Sequence, residues 1–125
     1  MNQENVPTLP MSINDLQALR AILQSYLALL PRKVPASRKR DEEMALVRGL
    51  YLRMTGIPAQ ALEVRLNLTA AEIQALGKAI AGFCAFVRQK VPASSEREET
   101  LAALERLREH LLGMLPGQQT NGFHT

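Results

Sequence analysis

Sliding the sequence along itself by 57 positions lays residues 11–57 on residues 68–114 without a gap, and fourteen of the 47 aligned pairs are identical. Chance gives about 3 to 4 matches over such a window even in a chain rich in Leu and Ala, so the chain carries an internal duplication. The identities include Gln17/Gln74, Ala18/Ala75, Leu19/Leu76, Arg40/Arg97, Glu42/Glu99 and Gly56/Gly113, with an unbroken Lys-Val-Pro-Ala-Ser run at 33–37 and again at 90–94. Helical solenoids repeat at about 33 to 47 residues, so two longer units are a doubled motif and not an array.

Each copy reads as helix, tight connection, helix. Ser12-x-x-Asp15 and Thr69-x-x-Glu72 open the copies: a hydroxyl accepts from a backbone N–H left free in the first turn, and a carboxylate sits where the helix dipole is positive. Apolar residues then recur at helical spacing, as Leu16, Leu19, Leu23, Tyr26 and Leu30 in one copy and Ile73, Leu76, Ile80, Phe83 and Val87 in the other. Pro35 and Pro92 end these helices near residues 31–32 and 89, because the residue before a proline is pushed out of helical geometry. Ser37 and Ser94 cap the returning helices, which carry Met44, Val47, Leu50 and Met54, and Leu101, Leu104, Leu107 and Leu111. Gly56 and Gly113 stand where a left-handed residue closes a helix.

An isolated helical hairpin leaves an apolar stripe uncovered, so the two copies are expected to pack as an all-α, up-down-up-down four-helix bundle. A homodimer pairing hairpins between chains satisfies the same stripes, and the sequence leaves both arrangements open. The core draws on Leu, Ala, Ile, Val and Met, with three Phe, two Tyr and no Trp. This palette favours helices, and no sheet is expected. In the central connection, Pro58 followed by Ala59 to Arg65 suits a short extra helix with proline in its first turn. Residues 11–115 form a single helical domain between flexible tails at 1–10 and 116–125.

Parallel first and third helices bring both Lys-Val-Pro-Ala-Ser turns to one end. That end gathers Arg32, Lys33, Arg38, Lys39, Arg40, Arg88, Lys90 and Arg97, beside the free N–H groups of two helix starts, as candidate anion- or partner-binding residues. Asp41, Glu42, Glu43, Glu96, Glu98 and Glu99 follow at once, leaving a net charge of +2 there (8 minus 6). Acids in a first helical turn and bases in a loop are also what a solvated pole looks like, so the excess argues only modestly for an anionic partner.

The segment from Pro58 to Ile80 resembles a DNA-binding helix-turn-helix over about 20 residues, without the glycine diagnostic of its turn. The resemblance implies that Ala70, Ala71, Gln74 and Lys78 face the major groove, a set that reads bases poorly.

No catalytic or cofactor-binding set emerges. His110 and His124 do not combine with the single cysteine into a metal site, no phosphate-cradling glycine loop is present, and Glu42/Glu43 and Glu98/Glu99 point to different sides of their helices. Cys84, between Ile80 and Val87, reads as a small inert core residue. Gly77, Ala81 and Ala85 recur every four residues on the third helix and offer a face for close helix contact, internal or between chains. The N-terminal residues lack a signal-peptide pattern, and the longest strictly apolar run, Ala79–Val87, is far short of the ~20 residues of a membrane span. The expectation is a cytoplasmic, non-catalytic interaction, adaptor or regulatory module without cofactor, metal or membrane contact, binding a protein partner. Nucleic-acid binding through the basic turn end is the alternative.

Overall fold

The computed structural model describes residues 8–58 and 60–115. In chain order the elements are β1 (Thr8–Ser12), α1 (Ile13–Lys33), α2 (Arg38–Thr55), β2 (Glu63–Asn67), α3 (Ala70–Lys90) and α4 (Ser95–Gly113). The described residues are thus mostly helical, with four helices and a small two-stranded sheet. Residues 1–7 and 116–125, which hold most of the expected tails, lie outside the described residues, as does Ala59.

The helix starts follow from their caps. The side chains of Ser12, Ser37, Thr69 and Ser94 each accept from the backbone N–H three residues on, at Asp15, Arg40, Glu72 and Arg97. At Thr69 the reciprocal bond from its own N–H to Glu72 Oε1 completes a capping box. α1 and α3 run to Lys33 and Lys90, a residue or two past the expected ends, and Pro31 lies within the last turn of α1. The expected left-handed glycines are corrected: Gly56 has φ −76°, and among the described residues no glycine has positive φ. The chain instead winds on, with Gly56 N–H donating to Leu52 O and Arg53 O, and Leu115 N–H to Leu112 O, so the last carbonyls are met without reversing handedness.

The sheet corrects two further expectations. Thr8–Pro10 belong to β1 and not to a flexible tail, and Glu63–Asn67 form β2, whose residues Glu63–Arg65 fall where the short helix was expected. The strands pair antiparallel from Thr8↔Asn67 to Ser12↔Glu63, with Leu9 opposite Leu66. Both alternate exposed and buried residues, so Leu9, Met11, Val64 and Leu66 enter the core while Thr8, Pro10, Ser12, Glu63, Arg65 and Asn67 face out. Pro10 is tolerated because each strand of a two-stranded ribbon has a free edge, where a missing N–H breaks no ladder bond. With β2 in place of its first helix, the helix-turn-helix resemblance at 58–80 does not hold.

One core cluster takes in both strands and all four helices. Leu16/Ile73, Leu19/Leu76, Ile22/Ala79, Leu23/Ile80, Leu30/Val87 and Met54/Leu111, each pair 57 residues apart, are buried alike. α3 is apolar and long enough to cross a membrane by length and composition, and Ile73, Leu76, Ala79 and Ile80 are fully buried as it packs on α1, α2 and α4. The packing is uneven. α2 rests on both α1 and α3, whereas α4 leans on α3 and leaves a gap of about 270 Å³ beside α1, bordered by Asp15, Ala18, Leu19, Leu104, Leu107 and His110.

Candidate functional site

The ends of α1 and α3 border a cleft, and its walls follow the repeat. Ile22 and Ala79, Ser25 and Gly82, Tyr26 and Phe83, and Leu29 and Phe86, each separated by 57 residues, line the same inner part, of about 220 Å³. A contiguous outer part, about 310 Å³, runs past Phe86 and Ala85 to Lys33, Val34 and Gln89, at the ends of α1 and α3. The inner lining is apolar apart from the Ser25 and Tyr26 hydroxyls. At Gly82 a Cβ would lie 3.8 Å from the Tyr26 ring, which shows how closely the two helices approach at the cleft floor.

Five large hydrophobic side chains among the described residues are exposed: Phe86 (42%) and Val34 (37%) line this cleft, and Val91 (40%) directly follows α3. The others, Leu52 and Leu62, lie on the last turns of α2 and in the connection before β2.

Tyr26 anchors one wall. Its hydroxyl donates to Glu43 Oε2 on α2, and Lys78 Nζ on α3 lies 3.4 Å from Glu43 Oε1. Burial, then the hydrogen bond and the negative charge of Glu43, push the Tyr26 phenol well above its ordinary range. The positions equivalent to this trio are Phe83, Thr100 and Ala21, which cannot repeat the linkage; this is consistent with α4 standing off α1 while α2 is drawn onto α3.

The eight expected cations divide by task. Arg40 and Arg97, at equivalent positions, brace their own turns: Nη1 of each donates to the carbonyl of Val34 (3.0 Å) or Val91 (2.8 Å), and Arg97 also pairs with Glu98. Arg88 is bound to Glu105, which holds it in the charged form. Arg32, Lys33, Arg38, Lys39 and Lys90 are exposed and have no carboxylate within ion-pair distance among the described residues. The Gly77, Ala81 and Ala85 stripe runs through three different surroundings. Gly77 is buried against Leu112 of α4, Ala81 is exposed, and Ala85 lines the outer cleft.

Sequence reasoning missed the cleft. Phe86 and Leu29 fall beside the buried stripe at helical spacing, and Phe86 is left 42% exposed on the cleft wall.

Among the described residues no three His, Cys, Asp or Glu side chains are arranged to hold a metal ion. Cys84 is 2% exposed, and burial, followed by the charge of Glu105, raises its thiol above the ordinary range. The arrangement offers an apolar trough with a cationic mouth, suited to holding an apolar body that carries negative charge. Comparison with protein-family models, with curated proteins and with solved structures returned no significant match.

Proposed function

We propose that this chain is a non-catalytic helical interaction module of the cytoplasm, acting as an adaptor or regulator, that binds a protein partner at its turn end. We read it as two duplicated units, each now a strand followed by a helical hairpin, whose helices run up, down, up and down. The observation that carries the proposal is the α1/α3 cleft, where exposed Phe86 and Val34 stand beside exposed Lys33; a solvated pole needs only the cation. Aromatic anchors in an apolar depression with a polar rim are the usual anatomy of a contact surface.

The test is site-specific photo-crosslinking in the cells that make the protein, with the reactive side chain placed at Phe86 or, as control, at Leu52. A discrete protein adduct from the Phe86 position alone supports the reading. Equal adducts from both positions, or none from Phe86, overturn it.

A second reading, nucleic-acid binding, draws on exposed Arg32, Lys33, Arg38, Lys39 and Lys90. It requires binding to duplex DNA or RNA that falls steeply between two salt concentrations. Nucleic-acid adducts at Phe86 would favour it over the protein partner.

A further inference from the structure

From the geometry of the α1/α3 cleft we infer its occupant: one amphipathic α-helix of a partner protein, apolar on one face and acidic along its flanks. The inference rests on the protein-partner reading and narrows it.

Shape comes first. From Ile22 to Lys33 the cleft follows twelve residues of helix, a rise of about 16 Å at 1.5 Å per step, which matches three turns of an incoming helix. Chemistry then selects a helix over an extended segment. The walls are side chains of two α-helices whose backbone groups are already bonded within each helix, so there is no strand edge to pair with. An extended peptide laid there would bury its own N–H and C=O groups against Leu29 and Phe86 unpaired, whereas a helix arrives with them satisfied.

Charge selects the flanks. Lys33 lines the mouth, with exposed Arg32 next to it in sequence and exposed Lys90 next to the lining residue Gln89 at the end of α3, and an acidic rim on the partner meets this charge. The same cations argue against a second copy of this chain as occupant, because joining two such ends sets like charges together around the contact.

The experiment uses the full-length chain and three labelled 14-residue peptides sharing one Leu face at helical spacing: one with Glu on its remaining positions, one with Lys, and one Glu-rich with a central Pro. Fluorescence anisotropy at low and moderate salt reads binding. The proposal expects the Glu peptide to bind and the Lys and Pro peptides to bind at least about tenfold more weakly, with affinity for the Glu peptide falling as salt rises. Phe86→Asp and, independently, Ala85→Asp should each weaken the Glu peptide by about tenfold or more; both positions are exposed, and circular dichroism verifies that the variants fold.

Equal binding of the Glu and Lys peptides, undiminished binding of the Pro peptide, or indifference to both cleft substitutions overturns the inference. So does displacement of the Glu peptide by dodecanoate with no difference between Glu and Pro peptides, which would mark an acyl-chain site. If crosslinking at Phe86 captures a protein while none of the peptides binds, the interaction module stands and this choice of occupant falls.

Discussion

Arg40 and Arg97 illustrate why a cluster of like charges cannot be read as a binding site by composition. Both belong to the basic end, yet each spends its guanidinium on a carbonyl six residues earlier and fixes the Val-Pro turn between two helices. Arg40→Ala and Arg97→Ala should each lower stability by about 1 kcal/mol in urea unfolding, with Lys rescuing poorly because it lacks the planar fork. Tyr26 gives a pH signature. Its folded-state pKa is raised, so the native state keeps the phenol proton at pH values where the unfolded chain has lost it. Its stabilising contribution is therefore complete below about pH 10 and declines as pH rises beyond that. Unfolding midpoints compared from pH 8 to 11 should fall more steeply for the wild type than for Tyr26→Phe, and identical slopes would remove the Glu43 linkage from the account. Cys84, buried with a raised thiol pKa, should react with a thiol reagent only at the rate at which the protein opens, and fast labelling of the native state would contradict its placement.

Helices and strands differed in how openly they were written. The caps at Ser12, Ser37, Thr69 and Ser94 and the stripes behind them were legible because a helix start needs a particular side chain within three residues, and the evidence is local. The ribbon was not. Glu63-Val64-Arg65-Leu66-Asn67 does alternate, but five residues after Pro58 and two alanines also satisfy a short helix, and only pairing with Thr8–Ser12, more than fifty residues away, decides between them. Pro10 hid the other strand in the same way, since proline counts against a strand unless one edge is free. Leu66→Ala should cost about 3 kcal/mol, as for other fully packed leucines, while Arg65→Ala on the outward face should stay within about 0.5 kcal/mol; equal effects would show the ribbon is not packed as described. Arg53 adds a tie at this end, bonding Glu72 at 2.8 Å and the carbonyl of Asn67 at 2.7 Å, so α2, β2 and α3 meet on one guanidinium.

The two sequence repeats differ in how their helices pack, with α2 resting on both α1 and α3 while α4 rests on α3. The two helix-to-helix turns were legible in the repeated Lys-Val-Pro-Ala-Ser runs, but the cleft was not, because periodicity identifies an apolar face without saying whether a neighbour covers it. Nor does periodicity foresee the gap between α1 and α4, on the side where the residues equivalent to Tyr26, Glu43 and Lys78 cannot repeat their linkage. Exposed Ala103 borders that gap, so Ala103→Leu should add about 1 kcal/mol of stability by covering apolar surface, measured by the shift in urea midpoint.

The pairing of Leu9 with Leu66 also sets an order of events during synthesis. Thr8–Ser12 leave the ribosome well before Glu63–Asn67 exist, so the leading half waits with an unzipped edge until its companion is translated. A neighbouring nascent chain able to supply the missing strand first would yield an exchanged pair of molecules, and slowing translation between the halves should increase the yield of such intertwined dimers.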